Sequence, residues 1–309
     1  MNPILAILEE QGFVVLDGAM ATELERHGAN LDDPLWSARC LIESPGLISQ
    51  VHMDYLNAGA DVISSATYQA SVKGFRERGL SESEAEDLLQ FGVELALRAR
   101  DAFWAKPENR QDRVKPLVAA SIGPFGACLH DGSEYHGKYV ASWDEVGRFH
   151  RERLDVLAVT GADVLAFETI PSQKEAEILL GLLVEYPDQF AWISFSCRDG
   201  LYISHGESFR DNARLACHNP QVVAAGINCT APRFVISLLQ SAGNVSCPLM
   251  AYPNRGETWV AKDNCWVGEA EDAFDPLAWY AAGARLIGGC CRTGPDDIAR
   301  IRASLLKRP

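Results

Sequence analysis

The chain has 309 residues, is 47% hydrophobic and carries a formal charge of -14. That acidity disfavours nucleic acid and anionic membranes as partners, because both call for a basic surface, and it leaves room for a cationic small molecule. Nine cysteines, an odd number at irregular spacing, argue for reduced thiols instead of a disulfide framework. No apolar run approaches the length of a membrane span, and the start of the chain has no basic segment or cleavage pattern, so a cytoplasmic protein is expected.

Eight short apolar runs follow one another along the chain: Phe13 to Leu16, Asp61 to Ser64, Leu117 to Ala120, Asp163 to Phe167, Ala191 to Phe195, Val222 to Ile227, Pro248 to Ala251 and Arg285 to Ile287. Continuous apolar runs of this length are what parallel strands buried on both faces require. Three of them begin alike, at Gly59-Ala60-Asp61, Gly161-Ala162-Asp163 and Gly283-Ala284-Arg285, where glycine ends a helix and the strand follows at once. Helix starts are legible in Ser81 with Glu84, Ser142 with Glu145 and Ser172 with Glu175, all at capping-box spacing. Eight strands alternating with helices predict a single (β/α)8 TIM barrel, one domain over residues 1–309.

In such a barrel the active site lies at the carboxyl ends of the strands. The residues there are Asp17, Thr67, Ser121, Glu168, Cys197, Asn228 with Cys229, Tyr252, and Cys290 with Cys291. On an extended strand Cys290 and Cys291 would face opposite sides, so the strand must stop near Gly288-Gly289 for both sulfurs to turn to one point. With Cys229 they would make a three-thiolate metal site with an open fourth position, the arrangement of catalytic zinc. Spacing alone leaves the alternative open that these are small buried hydrophobes. Cys197 precedes a turn-like Arg198-Asp199-Gly200 and reads as structural. Asp17 either caps the helix after Gly18 or meets a substrate, whereas Glu168, at the mouth of a buried strand, calls for a partner. The histidines show no metal-ligand spacing. Long connections around Asn30 to Leu41, Gly123 to Ser142 and Tyr252 to Glu271 are placed to cover the mouth.

Leu16-Asp17-Gly18-Ala19-Met20-Ala21-Thr22, Gly226-Ile227-Asn228-Cys229 and Gly288-Gly289-Cys290-Cys291-Arg292-Thr293 together resemble the homocysteine S-methyltransferase family over nearly the whole chain. The segment Asp32 to Trp36, Gly132-Ser133-Glu134-Tyr135 and Tyr252-Pro253-Asn254 are most similar to its S-methylmethionine-using branch. The resemblance implies zinc held by Cys229, Cys290 and Cys291 in the barrel mouth. It implies a homocysteine amino group held by Asp17 and Glu168, with Gly18, Thr67, Asn228 and backbone amides nearby. The betaine-using branch has a tyrosine where Gln69 stands here, so water or the substrate thiol is expected in the fourth position. The donor must be cationic at its reacting centre, and Trp36, Phe125 and Tyr135 are the aromatic residues expected to wall it. The expected reaction is methyl transfer from S-methylmethionine, or also S-adenosylmethionine, to the homocysteine thiol. Competing readings are a betaine-homocysteine or selenocysteine methyltransferase of the same fold, a metal-dependent hydrolase or lyase using Asp17 and Glu168, and a non-catalytic zinc- or thiol-binding protein.

Overall fold

Every one of the eight apolar runs becomes a parallel strand in the computed structural model, which describes residues 2–31, 38–129, 131–260, 265–271 and 273–308. They are β1 (Val14–Val15), β2 (Val62–Ser64), β3 (Leu117–Ile122), β4 (Val164–Ile170), β5 (Ala191–Phe195), β6 (Val222–Asn228) and β7 (Leu249–Tyr252), with β10 (Ala284–Ile287) last in the chain. Two further strands, β8 (Thr258–Val260) and β9 (Cys265–Val267), pair antiparallel as a separate hairpin inside the third long connection. Around the barrel the order is β1-β10-β7-β6-β5-β4-β3-β2, and a parallel bridge between Leu16 and Val62 closes it.

The two-residue side-chain period of a strand sorts the barrel into an inside and an outside. Val14, Leu16, Val62, Ala119, Val164, Ala166, Trp192, Ala224, Met250 and Leu286 fill the interior, while Val15, Ile63, Ala120, Leu165, Phe167, Ile193 and Ile227 face the helical layer. The helix Pro3–Gln11 contributes Ile4 and Ile7 to the interior set, sealing the end opposite the site. Full burial of a side chain such as Met250 is worth about 1.5–3 kcal/mol, so this dry floor is a rigid base for whatever stands above it. Gly226 is a packing necessity: a Cβ there would come within 2.5 Å of Met250 Cγ.

Helix starts follow the sequence with one instructive difference. Ser81 and Ser142 form complete capping boxes with Glu84 and Glu145. Ser172 accepts from Glu175 N, but Glu175 does not return the bond, because its carboxylate is fully buried and engaged elsewhere. The expectation of reduced thiols is corrected at one pair. Cys217, at the end of the helix Phe209–Cys217, is disulfide-bonded to Cys247, which lies 30 residues on, just before β7. Cys40, Cys128, Cys197, Cys229, Cys290 and Cys291 are free. Among the described residues no helix is long and apolar enough to cross a membrane.

Candidate active site

The same period of two that builds the core builds the site. Glu168 is the next inward position after Val164 and Ala166, Ser121 follows Ala119, Ser194 follows Trp192, and Tyr252 follows Met250. The barrel interior thus changes from apolar to polar at one level, near the carboxyl ends of the strands. Glu168 lies within β4, which runs past the apolar stretch to Ile170 through a register shift after Phe167. Its carboxylate accepts from Ser121 Oγ and, at 3.2 Å, from the Tyr252 hydroxyl. Burial raises its pKa to about 7 despite those two bonds. Asp17 does not cap the following helix, whose N-cap is Ala19 with no side-chain bond. Instead its carboxylate accepts from Ser64 N at 2.7 Å, and burial, reinforced by Glu168, pushes its pKa well up.

The thiols arrive from two strand ends. β10 stops at Ile287, and Gly288 N and Gly289 N donate to Ala251 O and Asp17 O at 3.1 Å each. A Cβ on Gly289 would lie 2.6 Å from Thr293 Cβ, so only glycine lets the chain fold back on itself here. Thr293 N then donates to Cys290 O, turning Cys290 and Cys291 toward Cys229. Cys229 has φ 44° and Thr169, beyond Glu168, has φ 62°. Left-handed geometry at a non-glycine residue costs roughly 1–3 kcal/mol, and such outliers gather at functional sites. Asn228 secures both: its Oδ1 accepts from Thr169 N and from Ser194 Oγ, and its Nδ2 donates to Thr169 Oγ1 and, at 3.8 Å, to Cys290 Sγ.

The ligand atoms of Cys229, Cys290 and Cys291 all lie within 4.8 Å of one another. Tetrahedral zinc with bonds of about 2.3 Å sets sulfurs roughly 3.8 Å apart, so the three donors fit such an ion. Their electrostatics ask for a cation. Cys229 is held well above the usual thiol range by its bonds to Cys290 and Cys291 and by burial, while Cys291 is held well below it by hydrogen bonds from Cys229, Cys290 and Tyr135. Without added positive charge the cluster keeps protons that a metal would displace.

Of the residues expected from sequence, Asp17, Gly18, Tyr135, Glu168, Asn228, Cys229, Cys290 and Cys291 line one pocket. Two others do not line it. Thr67 is fully buried behind it, donating to Ser121 O at 2.7 Å and sharing a bond with Ser65 Oγ. Phe125 packs edge-on against Tyr139 and Phe149, at ring separations of 5.3 and 5.2 Å, in a separate cluster. Trp36 and the Asp32 to Trp36 segment lie outside the described residues. Cys197 is buried just past β5 in an isolated antiparallel bridge to Ile203, its amide donating to Thr230 Oγ1, and it does not line the pocket. Ser121 and Tyr252, candidates by their place after the strands, line the pocket too, and it also holds Ser64, Tyr68 and Glu134, which were not among the expected ligands. Ser64 is the last residue of its own apolar run, where only its polarity marks it. Tyr68 leaves no signal, and Glu134 is marked only as part of Gly132-Ser133-Glu134-Tyr135, because loop folding brings both in. Burial raises the Glu134 carboxyl to about 7.

A closed (β/α)8 barrel with three convergent thiols and two carboxylates at its mouth is a framework on which three sulfurs could hold a metal ion beside a carboxylate-lined pocket. The homocysteine S-methyltransferase family model matches residues 14–305, and the chain belongs to that family. It is 51% identical to the homocysteine S-methyltransferase YbgG of Bacillus subtilis (strain 168), over 98% of each chain. It is 45% identical to the selenocysteine Se-methyltransferase of Brassica oleracea var. italica, over 97% of this chain and 91% of that one. The metallated form of the homocysteine methyltransferase MmuM from Escherichia coli superposes with a TM-score of 0.87 at 46% identity, covering 98% of this chain and 99% of that one. The protein is therefore a homocysteine S-methyltransferase by family, and the hydrolase, lyase and non-catalytic readings fall away.

Proposed function

We propose that this chain transfers a methyl group from S-methylmethionine to homocysteine, with zinc held by Cys229, Cys290 and Cys291. The observation that carries the reading is the convergence of three sulfurs within 4.8 Å on a pocket that also holds Asp17 and Glu168. A free thiol has a pKa of about 8.5 and is mostly protonated at neutral pH. Bound zinc would supply the Lewis acidity that removes the acceptor's proton.

The chain's own residues do the rest. Asp17 and Glu168 take the acceptor's ammonium, and Ser121, Tyr252 and Ser64 hold those carboxylates in place. Pairing with a cation keeps both ionised against the burial that raises their pKa values. Among the described residues the pocket lining holds no Lys, Arg or His, so none of them repels a sulfonium. Tyr135 is a wall for that cation, with Trp36 as the expected second one. As the acceptor sulfur bonds to the methyl carbon, the sulfonium C–S bond breaks and its electron pair returns to the leaving sulfur. The acceptor thiol's proton is released, and two methionines result. The leaving group is a neutral thioether, so no general acid is required and positioning carries the rate.

The experiment is to quantify zinc in purified reduced protein, then assay methionine formation from homocysteine and S-methylmethionine before and after chelation. One zinc per chain with chelator-sensitive turnover is expected; activity that survives complete zinc removal overturns the metal reading. S-adenosylmethionine and betaine in place of S-methylmethionine test the donor. Selenocysteine as acceptor is a second reading, favoured by the similarity to the Brassica enzyme. A cytoplasmic location belongs to the same proposal.

A further inference from the structure

Among the described residues three carboxylates line the pocket, and they are not alike. Asp17 is held by Ser64, and Glu168 by Ser121 and Tyr252. Glu134 is buried, at 7% exposure, and its Oε2 has no hydrogen-bond partner among the described residues. It sits on the short 3-10 turn Ser133–Tyr135, in the connection after β3, next to the tyrosine that donates to Cys291. A sealed carboxylate oxygen without a donor is costly, and among the described residues the pocket lining has no basic side chain to relieve it.

We propose that Glu134 is the specificity residue for the methyl donor, accepting a hydrogen bond from the donor's α-ammonium group. This rests on the donor being an amino-acid sulfonium, as proposed above. The orphaned oxygen needs an N–H or O–H, and of the donor's two cationic centres only the ammonium has one. A carboxylate set against the sulfonium would also work against the reaction, because that charge disappears as the methyl moves and the ground state would gain more than the transition state. An ammonium keeps its charge throughout, so Glu134 contributes uniform binding and selects donors that carry an amine over betaine-like donors that do not. The position fits: Asp17 and Glu168 come from the ends of β1 and β4, whereas Glu134 lines the same pocket from the connection after β3.

The test compares wild type and Glu134→Gln with two donors, S-methylmethionine and its desamino analogue 4-(dimethylsulfonio)butanoate, at saturating homocysteine. In Glu134→Gln, kcat/KM for S-methylmethionine is expected to fall roughly ten- to hundredfold, mainly through KM, as loss of a charge-assisted bond implies. The value for the desamino analogue should stay within about threefold, so the preference for the amine collapses; KM for homocysteine and zinc content should not move. Equal losses on both donors, a rise confined to the homocysteine KM, or no loss at all overturns the inference. Wild type that makes no methionine from S-methylmethionine defeats the donor reading itself, a separate result. Glu134→Asp, which keeps the charge, guards against a folding artefact: it should retain discrimination that Glu134→Gln lacks, and equal behaviour of the two would overturn the charge argument.

Discussion

Cys229 Sγ lies 3.5 Å from Cys291 Sγ, across 62 residues of chain. The two are brought together by a strand end on one side and a glycine-dependent reversal on the other, each with a left-handed or otherwise restricted backbone. Strain of that kind persists only when the surroundings over-determine it, and here Asn228, Thr169 and Thr293 do so.

The first prediction concerns the sulfurs themselves. Cys229→Ser, Cys290→Ser and Cys291→Ser should each lose bound zinc, measured by elemental analysis, and lose methyl transfer by more than about hundredfold. A serine variant that keeps full activity without zinc would dispose of the metal mechanism.

Gly289→Ala tests the reversal without touching a sulfur. The new methyl group would be pressed against Thr293, whose Cβ is 2.6 Å away, and whose hydroxyl donates to Cys290 O. Overpacking of this kind costs about 1–3 kcal/mol, and the displaced loop carries two of the three thiols. Lower urea stability together with reduced zinc content is expected; unchanged zinc affinity would show that the turn tolerates the shift.

Glu168 sets a pH dependence. Burial raises its pKa to about 7, and only the ionised form attracts an ammonium, so homocysteine binding should weaken as pH falls through that value and recover above it. A bound cation nearby would move the limb to lower pH, in the direction of ionisation. Glu168→Gln should lower kcat/KM for homocysteine roughly ten- to hundredfold and remove the limb. A limb that survives in the variant belongs to the acceptor thiol.

Much of this was legible in the chain. The eight apolar runs are the eight barrel strands because a strand buried on both faces has no choice but to be apolar throughout. The three cysteines stood out because each follows such a run, where polar or reactive residues have no structural excuse. Glu168 and Tyr252 are legible as candidates just after their runs, but the strands extend to include them: Glu168 belongs to β4 itself, and Tyr252 closes β7. Loop residues are less readable. Glu134 is marked by the resemblance and by its place in a mouth-covering connection, but only the folded connection shows that it is buried. Thr67 stands where a ligand should but turns back to Ser65 and Ser121, and Phe125 is spent on packing. The Cys217–Cys247 bridge joins two elements that no local pattern relates.

Trp36 remains an expectation from the sequence, as the second aromatic wall of the donor site. An aromatic face is worth about 0.5–2 kcal/mol to a methyl-bearing cation. Trp36→Ala should raise the S-methylmethionine KM by roughly three- to thirtyfold and leave zinc content intact. Unchanged donor kinetics would remove Trp36 from the site.

Glu175 is the anchor of the loop that carries Glu134 and Tyr135. It is fully buried: Oε1 accepts from Phe125 N at 2.6 Å and pairs with His150 Nε2 at 2.8 Å, while Oε2 accepts from the Tyr139 hydroxyl at 2.6 Å. Truncation to alanine leaves three buried polar groups without their shared acceptor, and the expected cost is about 2–5 kcal/mol in urea unfolding. The loop should loosen while the strand-borne thiols keep their places. Glu175→Ala is therefore expected to raise the donor KM with little change in zinc stoichiometry or in the homocysteine KM. If stability falls and donor KM does not move, the loop is held over the pocket by its own 3-10 turns at Phe125–Cys128 and Ser133–Tyr135, and Glu175 serves the fold alone.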